Sequence, residues 1–115
     1  MRTTRRKGSK FHNVRTVVDG HTFDSKLEAK VYKDLCTIHG RNNIVTQISI
    51  PLGKKRIRVD FGIILDRGVR LAGGIEHPYI MMEFADAKGY ETAVSKAKLN
   101  HLEDRHGIKV RLIRS

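Results

Sequence analysis

The clearest pattern in the chain is the alternation from Arg56 to Leu65 (RIRVDFGIIL). As an extended strand, it places Ile57, Val59, Phe61, Ile63 and Leu65 on one face and Arg58 and Asp60 on the other. A strand is also predicted from Ile44 to Leu52, with Ile44, Ile48 and Ile50 sharing a face, Pro51 helping to end it, and Lys54 and Lys55 forming a basic turn after it. Upstream, Leu27, Val31, Leu35 and Ile38 recur at helical spacing. Ser25 and Glu28 in front of them match a capping box, and Gly40 supplies the stop. Between Val14 and Phe23, β-branched residues flank Asp19-Gly20, a dipeptide suited to a two-residue hairpin turn.

Asp66 to Pro78, with three glycines and one proline, reads as a long connection. Tyr79 to Lys88 reads as a third strand broken at Gly89. Glu91 to His106 reads as a second helix with a weak stripe led by Val94, Ala97 and Leu102, stopped at Gly107. Ile108 to Ile113 closes the series as a strand. The order is hairpin, helix, three strands, helix, strand. A helix between two strands predicts a crossover and at least one parallel pairing, hence a single α/β domain with a mixed central sheet flanked by helices.

Composition narrows the partners. The 115 residues fit one domain, and 39% hydrophobic content supports a modest core. Lys and Arg number 23 against 12 Asp and Glu, a formal charge of +11, which points to a polyanion. Residues 1–10 (MRTTRRKGSK) lack large apolar side chains and read as a basic arm tracking phosphates through Arg5, Arg6, Lys7 and Lys10, with residues 11–115 as the domain proper. Cys36 is the only cysteine, which excludes an intrachain disulfide and a cysteine-rich zinc module; it is expected to be buried and inert. No apolar run approaches a membrane span and no secretory signal is evident, so a soluble, cytoplasmic protein is expected. The six histidines, among them His12, His21 and His101, show no closely spaced metal motif of the zinc or HNH kind.

Asp60 interrupts an otherwise apolar strand, and an acid there must be solvated, paired or bound to a cation. Arg58, on the same face, is the structural partner to expect. Asp86 and Lys88, two apart on a strand, project together: the carboxylate suits a hard divalent cation, and the ammonium suits a water or a phosphate. A surface ion pair is the plainer reading of the same pair. Glu28 borders the core-facing stripe of its helix, where its capping role competes with any role in a site. Glu83 falls on the face opposite Asp86.

The order of elements and the acids Glu28, Asp60, Asp86 and Lys88 resemble the PD-(D/E)XK nuclease superfamily. In that superfamily a helix Glu, a strand Asp and a (D/E)-x-K triplet form the site on an αβββαβ restriction-endonuclease-like core. The stretch from Phe11 to Tyr32 together with Asp86 to Gly89 is similar to the small phage-encoded endonucleases and Holliday-junction resolvases related to phage endonuclease I. Val59 stands where the superfamily's naming proline would precede Asp60. The resemblance implies a metal-dependent endonuclease acting on branched or junction DNA as a homodimer. It implies Mg²⁺ or Mn²⁺ held by Asp60, Asp86 and the Ala87 carbonyl, support from Glu28, and Lys88 positioning the nucleophile. Lys54, Lys55, Arg56 and Arg58 would join the arm on the DNA backbone. A general nicking or end-processing nuclease, and a non-catalytic nucleic-acid-binding module, are the alternatives.

Overall fold

In the computed structural model, which describes residues 15–88 and 92–114, the sheet is built around one very long antiparallel pair of strands. The elements run β1 (Thr16–Val18), β2 (His21–Phe23), α1 (Lys26–His39), a 3₁₀ turn (Arg41–Asn43), β3 (Ile44–Leu52), β4 (Lys55–Ala72), β5 (Ile75–Ala87), α2 (Ala93–His106) and β6 (Val110–Ile113). The four-stranded sheet has the order β3-β4-β5-β6. Its first two pairings are antiparallel and β5–β6 is parallel, so the crossover through α2 produces the mixed sheet the element order predicts. No helix among the described residues is long and apolar enough to cross a membrane. The arm assigned to residues 1–10 lies outside the described residues.

The small hairpin turns at Asp19-Gly20, whose φ values of 53° and 82° are the positive pair such a turn requires. Helix α1 then starts on Ser25, whose hydroxyl accepts from the Glu28 N–H at 3.1 Å. Ala29, Val31, Tyr32 and Leu35 form its buried face. Ile38, expected on that face, is 72% exposed, because the stripe drifts off the sheet in the last turn.

Two hydrophobic clusters divide the core. Phe23, Val31, Tyr32, Leu35, Phe61 and Ile63 belong to the cluster under α1, with Ala85 and Ala87. Ile50, Leu52, Ile57 and Val59 belong to the other, with Leu102 of α2, and Phe84 packs against it. Phe84 and Ala85 are consecutive on β5 yet serve different clusters, so α1 and α2 cover opposite faces of the sheet. Val94 and Ala97, expected on the apolar stripe of α2, are exposed. Leu99 and Leu102 supply that contact instead.

The uniform face expected of β4 does not hold. Val59 and Phe61, two apart, belong to different clusters, and so do Ile44 and Ile48 of β3. The side chains change face at Asp60 and Gln47. Thr46 pairs with Phe61 and Ile48 with Val59, while Gln47 between them has a φ of +53°. A non-glycine residue in that region reverses the direction of the following side chain. Leu65, expected in the core, is 53% exposed at the register shift between Ile64 and Asp66.

The connection expected between Asp66 and Pro78 is instead a paired ribbon. β4 and β5 stay in register from Asp66↔Met81 to Ala72↔Ile75, and only Gly73 and Gly74, with φ of 60° and 74°, form the turn. This ribbon gives the molecule its 62 Å long axis against 32 and 26 Å across.

Candidate active site

At the other end of the same two strands the backbone ladder stops. The last antiparallel pair is Phe61↔Ala85. Beyond it β4 pairs only with β3, and β5 only with β6. Two carboxylates take over where the strands part. The Asp60 N–H donates to Asp86 Oδ1 at 2.7 Å, and the Ala87 N–H donates to Asp60 Oδ2 at 3.0 Å. Each acid therefore satisfies a backbone donor that the missing ladder would leave unpaired. Asp60 and Asp86 face each other across this gap, from adjacent strands. Asp86 is buried, and Asp60 is half-buried.

The second oxygen of each carboxylate, Asp60 Oδ1 and Asp86 Oδ2, makes no hydrogen bond to a described residue. Burial and then the Asp86 carboxylate push the Asp60 acid up to about 6, against the pull of the Ala87 N–H, Arg58 and Lys88. Glu28, on α1, rises to about 7. Burial is the main cause, Asp60 the next, Arg58 opposes it, and Asp24 and Asp86 add to it. Thus Glu28, Asp60 and Asp86 share one negative field. The Glu28 side chain makes no reciprocal cap to Ser25, since the cap is the Ser25 hydroxyl and the Glu28 N–H alone. Its carboxylate is therefore not committed to holding the helix.

Arg58, the expected partner of Asp60, bonds instead to Asp24 Oδ2 at 3.1 Å, and its charge reaches Asp60 without a direct hydrogen bond. Glu83 pairs with Arg111 of β6, away from the gap. Lys88, at the end of β5, donates its N–H to the Ile113 carbonyl at 3.0 Å, which continues the parallel ladder one residue further. Cys36 is half-buried beside the α1 cluster.

An open cleft of about 380 Å³ lies over Asp86 and Lys88, with Arg56, Arg58, Ser95 and Lys98 among its lining residues. Arg56 is steadied by Ser49, its Nε lying 2.7 Å from the hydroxyl. Lys54 and Lys55 occupy the β3–β4 turn, on a neighbouring depression that shares Arg56 and Lys98. Lys98, Ser95 and Thr92 escaped the sequence reading. Their spacing of three residues, which sets three polar side chains along one face of α2, is the signal that would have found them.

Among the described residues no three His, Cys, Asp or Glu side chains gather into a metal-binding group. The residues that fit a hard cation are Asp60 and Asp86, each with one uncommitted oxygen, and Glu28 does not join them in a three-ligand group. Burial, and after it the neighbouring carboxylates, raise the Asp60 and Glu28 acids, and a divalent ion at the gap would favour their ionised forms. Comparison of the chain with family models, curated proteins and solved structures gives no match.

Proposed function

We propose that the chain is a metal-dependent endonuclease that hydrolyses DNA phosphodiester bonds, with branched or junction DNA as its preferred substrate. The observation that carries the reading is the meeting of Asp60 and Asp86 where β4 and β5 part, beside Lys88 and a cationic cleft, in a chain of charge +11. A restriction-endonuclease-like αβββαβ core is part of the same proposal.

Asp60 and Asp86 would hold Mg²⁺ or Mn²⁺ through the two oxygens not spent on backbone N–H groups, with the Ala87 carbonyl and Glu28 as the further oxygen donors available to it. When bound, such an ion activates water and neutralises charge on the phosphate. Lys88 would orient the attacking water and steady the negative charge that builds on the phosphate as the new P–O bond forms and the bond to the departing sugar oxygen breaks. Arg56, Arg58 and Lys98 hold the flanking phosphates, with Lys54 and Lys55 and the basic arm (Arg5, Arg6, Lys7, Lys10) extending the track. Symmetric cutting of two strands calls for two such sites, hence a homodimer. The cytoplasm is the compartment this activity implies.

One observation favours a second reading, a nucleic-acid-binding module without catalysis: both acids already serve the backbone, and among the described residues no third acid closes the set. The two readings separate in one assay. A labelled four-way junction and a linear duplex of the same sequence are incubated with Mg²⁺ or with EDTA. The nuclease reading expects Mg²⁺-dependent cleavage, faster on the junction. Binding of both DNAs without cleavage in either condition would establish the module, and equal rates on both DNAs would leave a general nicking enzyme.

A further inference from the structure

Helix α2 carries an apolar patch that does not enter the core. Val94 and Ala97 share a helical face with Lys98 and His101, at the spacing of three, four and seven residues that sets side chains in one row. All four are exposed, Val94 at 65%. Leu99 and Leu102, on another side of the helix, make the contact with the sheet. Facing the patch stands the β3–β4 hairpin, and the two enclose an open groove of about 570 Å³. The buried Leu52 and Ile57 form its floor, and Lys54 and Lys55 stand at its rim in the exposed turn.

The lining selects the occupant. Lys54, Lys55, Arg56 and Lys98 surround the groove with positive charge, and among the described residues no acid lines it. Lys54, Lys55 and Lys98 form no ion pair with a described residue, so their charges are open to a ligand. A bare phosphate needs no apolar floor, and an apolar molecule needs no cations. A nucleotide has both parts, anionic phosphates and a flat base that stacks on apolar side chains and imidazole. The groove shares Arg56, Ile57, Val94 and Lys98 with the cleft over Asp86 and Lys88, so the two adjoin. A strand whose phosphate lies at Asp86 therefore carries a neighbouring nucleotide across the groove. In a duplex the bases are paired and stacked inside, out of reach of such a depression. The base that enters it is an unpaired one, as at a branch point or a flap.

We propose that the groove between the β3–β4 turn and α2 is a subsite for an unpaired nucleotide beside the Asp86 cleft. Its base lies against Ile57, Val94 and Ala97, and its phosphates on Lys54, Lys55 and Lys98. The inference rests on the nucleic-acid part of the proposed function and not on cleavage, so binding in EDTA tests it. The full chain is titrated with a labelled oligothymidine of about 12 nucleotides and with an abasic oligomer of the same length, which keeps the phosphates and lacks the bases. The wild type is expected to bind the oligothymidine at least roughly tenfold more tightly. V94Q/A97Q sets uncharged amides into the groove from two exposed positions. It is expected to abolish that preference by weakening oligothymidine binding, while the affinity for the abasic oligomer stays as in the wild type. K54A/K55A should weaken both oligomers alike. Equal affinities in the wild type, or a preference that survives V94Q/A97Q, overturns the inference and leaves the nuclease reading standing. No binding of either oligomer overturns both. Displacement of oligothymidine by anionic phospholipid vesicles, lost in V94Q/A97Q, would assign the groove to a lipid surface and overturn the inference as well.

Discussion

The two ends of the β4–β5 pair are built on opposite rules. At the distal end the backbone ladder is complete to the glycine turn, yet neither neighbouring strand covers it and apolar side chains face water. At the proximal end the strands lie deep between two helices, yet the ladder is missing and carboxylates stand in for it. The ladder pairs the inward-facing backbone groups and water can reach the two open edges, so the faces between them are free to be apolar. An open ladder demands acceptors, and acids that meet this demand with one oxygen keep the other for chemistry. One pair of strands thus carries an exposed apolar ribbon at one end and two half-committed carboxylates at the other.

The largest expected effect bears on the proximal end. Asp86→Ala or Lys88→Ala should lower Mg²⁺-dependent cleavage by roughly 10²–10³-fold, measured as single-turnover rates on a junction. Phe61→Ala, at the last ladder pair, should cost about 3–5 kcal/mol in urea unfolding because its ring is fully buried beside Phe23. Gly68→Ala on the ribbon should cost less than about 0.5 kcal/mol, because the contact it meets is the far end of the half-buried Tyr79 side chain, which can swing away. A ribbon as sensitive as the proximal end would erase the contrast between them.

Acidity sharpens it further. Folding raises the pKa of Glu28 to about 7 and of Asp60 to about 6, so the folded chain binds more protons than the unfolded one through that range. The stability these groups contribute is full below the ordinary carboxylate range and is lost as pH rises through about 6 and 7. In EDTA, Glu28→Gln should melt with the wild type near about pH 4 and above it near about pH 8. A small effect is also expected of Asp24→Ala. It removes a half-exposed ion pair with Arg58 and should cost at most about 1 kcal/mol while freeing Arg58 toward the cleft.

Element order, the α1 cap, the hairpin turn and the parallel β5–β6 pairing were legible because each depends on local residues: Ser25, Asp19-Gly20, and a helix set between two strands. The change of face at Asp60 was not. Alternation from Ile57 to Ile63 reads as one face whatever the partner strand does, and nothing in the letters marks Gln47 for a positive φ. The ribbon was hidden by its glycines. Gly73 and Gly74 do make a turn, but Gly68 makes room for Tyr79, and a proline on a strand with a free edge is tolerated. The acids stood out as misfits in an apolar pattern. Their backbone partners, and the release of Glu28 from its cap, depend on where two strands part, which spacing alone does not encode.

The central claim, that Asp60 and Asp86 together take a divalent cation through the oxygens the backbone leaves free, is tested most directly by titrating the DNA-free protein with Mn²⁺ and reading free Mn²⁺ by its spin-resonance signal. The account predicts saturable uptake by the wild type that falls at least roughly tenfold in affinity in both Asp60→Asn and Asp86→Asn. Unchanged uptake in either variant, or none in the wild type, would contradict it.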